Sequence, residues 1–131
     1  MRKMLTTAGV LLALLAPSQA QQTGDPQICE KLQALAVRSN KEAGKKKNAD
    51  GTTTHMGMTV SCDAKTVDFK KRIDVPASKL RPDWRLITQW GWNEFSCGNP
   101  AYARLIAKGW TISSSLVDSE GGRHVFRATC E

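Results

Sequence analysis

The stretch FSCGNPAYARLIAKGW, residues 95–110, decides the fold, because it holds two helix boundaries and the entry to a strand. Gly98 suits the left-handed residue that follows a helix, Asn99 is a good N-cap, and Pro100 is pre-set for a first helical turn. Upstream, Trp84, Leu86, Ile87, Trp90, Trp92 and Phe95 spread over a wide arc of a helix between Pro82 and Ser96, weakened in its middle by Gly91. Downstream, Tyr102, Leu105 and Ile106 mark a short helix closing at Gly109. Cys97 stands at the corner between the two helices, where it reads as a staple rather than a working thiol.

Working outward, Trp110, Ile112, Ser114 and Leu116 share one face of a strand. DSEGG, residues 118–122, makes a turn, and His124, Phe126, Ala128 and Cys130 share a face of the returning strand. In the first half, Asp25-Pro26 looks like a helix start, with Ile28, Leu32 and Leu35 at helical spacing to about Ala43 and Gly44 as the stop. Then the period changes to two. Met56, Met58, Val60 and Cys62 alternate with His55, Gly57, Thr59 and Ser61, which predicts a strand with His55 on its outer face. Val67, Phe69, Ile73 and Val75 form a second inner row, interrupted by Lys71 and stopped by Pro76. The element order is α-β-β-α-α-β-β. It predicts an α+β fold, a four-stranded antiparallel sheet with helices packed on one face. Two diverged helix-plus-hairpin units are compatible with that order.

The amino terminus decides the compartment. Arg2 and Lys3 precede an apolar run from Leu5 to Ala16, and Pro17-Ser18-Gln19-Ala20 supplies small residues for cleavage. Residues 1–20 are therefore predicted to be a signal peptide cut near Ala20, leaving residues 21–131 as a single α+β domain in the periplasm or secreted. The run is too short to cross a bilayer, and no other stretch is long enough to span one. Removing Arg2 and Lys3 leaves seventeen Lys and Arg against twelve Asp and Glu, a net charge of +5.

All four cysteines, Cys29, Cys62, Cys97 and Cys130, lie beyond the cut, and an even count in an exported chain reads as two disulfides. Three connectivities exist. The spacing of 33 from Cys29 to Cys62 recurs from Cys97 to Cys130 and favours those two pairs. With no C-x-x-C pair, the scattered cysteines argue against a metal site. A Cys97–Cys130 bridge requires the short helix after Pro100 to cross the sheet obliquely, or its ends would lie too far apart.

Residues 97–130 resemble small exported proteins of Gram-negative bacteria that carry a Cys-x-x-Pro helix, a Gly, a hairpin with Asp-x-x-Gly at its turn and a closing Cys. The matching positions are Cys97, Pro100, Leu105, Ile106, Gly109, Asp118, Gly121 and Cys130. Arg104 sits one place late, and Ser114 and Leu116 stand where aromatic residues are usual. The resemblance implies an α+β periplasmic fold and a Cys97–Cys130 bridge; it carries no activity and no catalytic residues.

Three surface features bear on function. His55 and His124 are the only histidines, and with a basic exported chain they suggest metal-independent RNA cleavage, which needs two rings at one phosphodiester. Strand phase separates them, putting them on opposite faces. Lys45, Lys46 and Lys47 form a cationic run suited to anionic lipid or polysaccharide. Without interleaved aromatics it lacks the stacking platform of a single-strand nucleic-acid binder. Trp90 and Trp92 are about 200° apart on a helix, so both indoles cannot enter one core, and an exposed Trp suits a protein partner.

No Ser-His-Asp set, phosphate-cradling loop or H-E-x-x-H occurs. The sequence thus predicts a non-enzymatic, cofactor-free periplasmic protein that binds another periplasmic or secreted protein. Its role would be accessory factor of an envelope or secretion apparatus, or inhibitor or immunity protein. A small secreted ribonuclease-like hydrolase and a binder of anionic lipid or polysaccharide are the alternatives.

Overall fold

The computed structural model describes residues 24–45, 48 and 50–131. The predicted signal peptide, and Lys46 and Lys47, lie outside them. The chain divides between Leu32 and Gln33, inside the first helix, and the second unit runs to Glu131. Helix α1 is Gly24–Lys41. It begins one residue before the expected Asp25 cap and ends with Arg38 and Lys41 in its last turn, where cations complement the helix dipole. Gly44, at φ +79°, turns the chain out of the helix.

The second unit holds β1 (Thr53–Ser61), β2 (Thr66–Ile73), a short 3-10 turn at Ala77–Lys79, α2 (Trp84–Gly98), α3 (Pro100–Ala107), β3 (Thr111–Val117) and β4 (Arg123–Arg127). The strands lie in the order β1-β2-β3-β4. Both hairpins are antiparallel, but the central pair β2–β3 is parallel, so the sheet is mixed rather than antiparallel throughout.

The cause lies in the crossover. Arg85 contacts His124, Gln89 donates to the Arg127 carbonyl, and Asn93 accepts from the Thr129 amide, so α2 runs alongside β4 in the same direction. That makes it antiparallel to β2, and its single traverse returns the chain to the end where β2 began. There the Thr111 amide donates to the Lys65 carbonyl at 2.9 Å, and β3 sets out parallel to β2. Helix α3 has eight residues and is about 12 Å long, too short to add a second traverse.

The corner at residues 98–100 is tighter than expected. Gly98 is the last residue of α2 and is not left-handed; Asn99 alone joins the helices, its side chain accepting from the Ala101 amide at 2.9 Å with Pro100 behind it. All four cysteines are oxidised, and Cys97 is bridged to Cys130 as the spacing predicts. Beyond Arg127 the chain follows α2 rather than continuing the strand, which brings Cys130 to Cys97 with Cα atoms 5.6 Å apart.

Residues opposite each other in a ladder point the same way, which defines the helix-covered face. It carries Val67, Phe69, Lys71 and Ile73 of β2, Ile112, Ser114 and Leu116 of β3, and His124 and Phe126 of β4. Trp92 on α2 and Tyr102 on α3 both pack edge-on against Phe69, and Trp84 packs against Phe126. The Trp92 indole N–H also donates to the Ile112 carbonyl at 3.2 Å.

Strand β1 departs from strict alternation. A bulge between His55 and Met58 slips the register, so His55 pairs with Lys71 while Met58 pairs with Phe69. Gly57 makes this feasible with φ +95°. The expectation that His55 opposes Met58 and Val60 is therefore corrected: all three share the helix face.

Candidate functional site

Helix α2 has three working sides. Arg85, Gln89, Asn93 and Cys97, four residues apart, fasten it along β4 and the tail. Trp92 and Ser96 are buried against the sheet. On the outward side Leu86, Ile87 and Trp90 remain in solvent, with Leu86 76% and Trp90 66% exposed against 5% for Trp92, while Phe95 is half exposed on the other flank, about half a turn round the helix from Leu86. The opposed orientation expected of the two indoles is observed. Three exposed large apolar side chains clustered within five residues of one helix exceed the scattered apolar surface of an ordinary monomer.

On the Phe95 flank of α2 lies a cleft of about 280 Å³ between the helix and the β1–β2 half of the sheet. Its lining includes His55, Lys71, Phe69, Trp92 and Phe95, with Gly91 in the helical wall. Phe95 stacks on Trp92 at 5.1 Å between centroids, so one aromatic surface runs from the core out to solvent. A Cβ on Gly91 would meet nothing within 4 Å, which shows how open the wall is there.

Lys71 sits in this apolar setting with its Nζ 5.2 Å from the centroid of the Trp92 ring. Burial pushes its ammonium below the usual lysine range. Across the ladder, His55 Nδ1 is buried without a hydrogen-bond partner.

The two histidines share a face, yet they do not form a pair. Their row runs His55, Lys71, Leu116, His124, one residue per strand. Three inter-strand spacings separate the rings by about 14 Å. His124 is further engaged by Asp118 at 3.1 Å, by Arg85 at 2.9 Å and by the edge of Trp84. Two rings at one phosphodiester are not what this arrangement offers.

Among the described residues no group of three His, Cys, Asp or Glu could hold a metal ion. Lys45 is exposed in the turn after α1. A denser set of cations stands on the opposite sheet face, where exposed Lys70, Arg72, Arg123 and Arg127 surround Ser113 and Ser115, whose hydroxyls both donate to Asp68. The sequence reading singled out Trp90, which is exposed, but did not place Lys71 at a cleft; its signal there was a charge in an otherwise apolar inner row.

The fold defines a class before any individual relative. It is a small, disulfide-linked α+β chain with a four-stranded mixed sheet and helices α2 and α3 on one face. Two solved structures share it. One is a Pseudomonas aeruginosa protein described as secreted, with TM-score 0.60 and 17% identity over 80% of this chain and 91% of that one. The other is EpsS, the pilotin of the Vibrio vulnificus type 2 secretion system, with TM-score 0.51 and 13% identity over 79% and 93%. No family model matches the sequence, and no curated protein does either.

Proposed function

We propose that the protein is a non-enzymatic accessory factor of a secretion apparatus, acting outside the cytoplasm by binding a protein component of that apparatus. The observation that carries this reading is the exposed apolar patch of Leu86, Ile87 and Trp90 on the outward side of α2. A stable fold keeps such a surface in water when a partner covers it. Two disulfides fit an oxidising compartment, and no helix among the described residues is long and apolar enough to cross a membrane. A pilotin with the same fold makes a secretion component the natural partner class.

A photo-crosslinking amino acid at Trp90 in living cells tests the proposal, with Val125, exposed on the opposite sheet face, as control. The expected result is an adduct from position 90, absent from position 125, whose captured protein belongs to a secretion apparatus. Equal adducts from both positions, or none from position 90, overturn it.

A second reading rests on Lys70, Arg72, Arg123 and Arg127, which make the far sheet face a cationic surface for anionic lipid or polysaccharide. Cosedimentation with anionic vesicles that is abolished by raising salt supports it, and no sedimentation at low salt removes it.

A further inference from the structure

The cleft beside α2 holds a cation without a counter-ion. Lys71 projects from the inner row of β2, where its neighbours Phe69 and Ile73 are buried, and among the described residues no carboxylate lies within ion-pair distance of it. Its nearest compensation is the face of Trp92. Taking an ammonium out of water costs free energy that a ring quadrupole offsets only in part. His55 Nδ1, opposite Lys71 in the ladder, adds a second unsatisfied polar atom to the same wall. Phe69, Trp92 and Phe95 make the rest of the lining mostly aromatic, with the hydroxyls of Thr88 and Ser114 among them, and Gly91 leaves the helical side open. A ligand that completes this site brings one negative charge on an apolar body.

We infer that the cleft recognises a carboxylate attached to an apolar group, supplied by an acidic side chain or chain terminus of the docking partner, which pairs with Lys71 while its apolar part covers Trp92 and Phe95. This deepens the preceding proposal and rests on it for the source of the carboxylate. One ammonium in a narrow apolar wall matches a monoanion. A phosphate dianion is met elsewhere by several cations or a row of backbone amides, and the lining supplies neither. The volume of about 280 Å³ suits one large side chain with its carboxylate.

The probe is 3-phenylpropionate, with 3-phenylpropanamide as its uncharged counterpart, titrated into ¹⁵N-labelled full chain while the Trp92 indole and Gly91 amide signals are followed. The carboxylate is expected to bind about tenfold or more tighter than the amide, shifting both signals. In Lys71→Met the preference disappears and the two probes bind alike. Gly91→Leu, which fills the cleft from its open wall, weakens both probes about tenfold or more while the chain stays folded. Equal binding of the two probes, binding of neither, or a carboxylate preference that survives Lys71→Met overturns the inference. Carboxylate binding without any crosslinked secretion component leaves the site standing and sinks the partner reading. A crosslinked component with no carboxylate preference does the reverse.

Discussion

His124 Nε2 stands 3.1 Å from Asp118 Oδ2, and its other nitrogen stands 2.9 Å from Arg85 Nη1. A guanidinium only donates, so Nδ1 must accept, and the ring proton lies on Nε2 facing the carboxylate. Asp118 in turn accepts from the Glu120 and Gly122 amides at 2.9 Å each, which makes it the cap of the β3–β4 turn. Helix, strand and turn are thus joined through one imidazole. ¹⁵N spectra of the His124 ring are expected to show Nδ1 as the accepting nitrogen and Nε2 as the donor, and an Nδ1–H tautomer would contradict the arrangement.

The same carboxylate sets an acid limit on stability. The His124 hydrogen bond first, and the Gly122 amide next, hold the Asp118 carboxyl below the usual range against the opposing effect of burial. A depressed folded pKa contributes stability that is present above the unfolded value of about 3.9 and is lost as pH falls through the folded one. Asp118→Asn is expected to lower Tm at pH 7 by roughly 5 °C, the scale of a lost side-chain cap. Between pH 7 and 3 its Tm is expected to fall less than that of the native chain. Identical falls would show that Asp118 does not carry the effect.

Trp90 and Trp92 separate stability from recognition. Trp92 is buried, stacks on Phe95 and donates to the Ile112 carbonyl, so Trp92→Ala is expected to cost about 3 to 5 kcal/mol. Trp92→Phe keeps most of the volume and is expected to cost about 1 kcal/mol through the lost hydrogen bond, since the Ala128 amide still satisfies that carbonyl. Trp90→Ala is expected to change stability by no more than about 0.5 kcal/mol. Chemical denaturation of the three variants checks the ranking, and a large loss in Trp90→Ala would show that its indole supports the fold rather than a partner.

These sites differ in how far the sequence discloses them. The opposed tryptophans follow from helical rotation alone, and the Asn99-Pro100 start follows from cap chemistry, so both are legible. The parallel central pair is not, because two predicted helices suggest two traverses of the sheet, whereas α3 is too short to make one. His55 is misplaced by alternation because a bulge adds a residue that no pattern of apolar spacing reveals. Lys71 is visible only as an exception to its row; that Trp92 lies over it depends on how α2 is fastened to β4.

That fastening ends in the Cys97–Cys130 bridge, whose sequence separation is 33. Closing a loop of that length in the unfolded chain is worth roughly 3.5 kcal/mol on the chain-entropy estimate. Replacing both cysteines by Ser is expected to lower stability by about that amount. The Gln89–Arg127 and Asn93–Thr129 hydrogen bonds still hold α2 in place. Hydrogen exchange is therefore expected to quicken first at residues 127–131, with the Trp92 indole protected until global unfolding. Early exchange at Trp92 would show that the bridge, rather than the stripe of side chains, seats the helix.

Gly57 controls which face His55 occupies. Its φ of +95° is strained for any L side chain, and a Cβ there would collide with the Asn40 side chain, whose Oδ1 accepts from the Met58 amide at 2.9 Å. Gly57→Ala therefore imposes two penalties, about 1 to 2 kcal/mol of backbone strain and about 1 kcal/mol or more for displacing Asn40 from a part-buried amide. A total of about 2 to 4 kcal/mol is expected. Asn40→Ala, which clears the space but orphans the Met58 amide, is expected to cost less alone. Combined with Gly57→Ala it should cost less than the sum of the two, because both changes break the same hydrogen bond. Strict additivity in that double-mutant cycle would mean that Asn40 does not brace the bulge, and that the backbone alone holds His55 over the cleft.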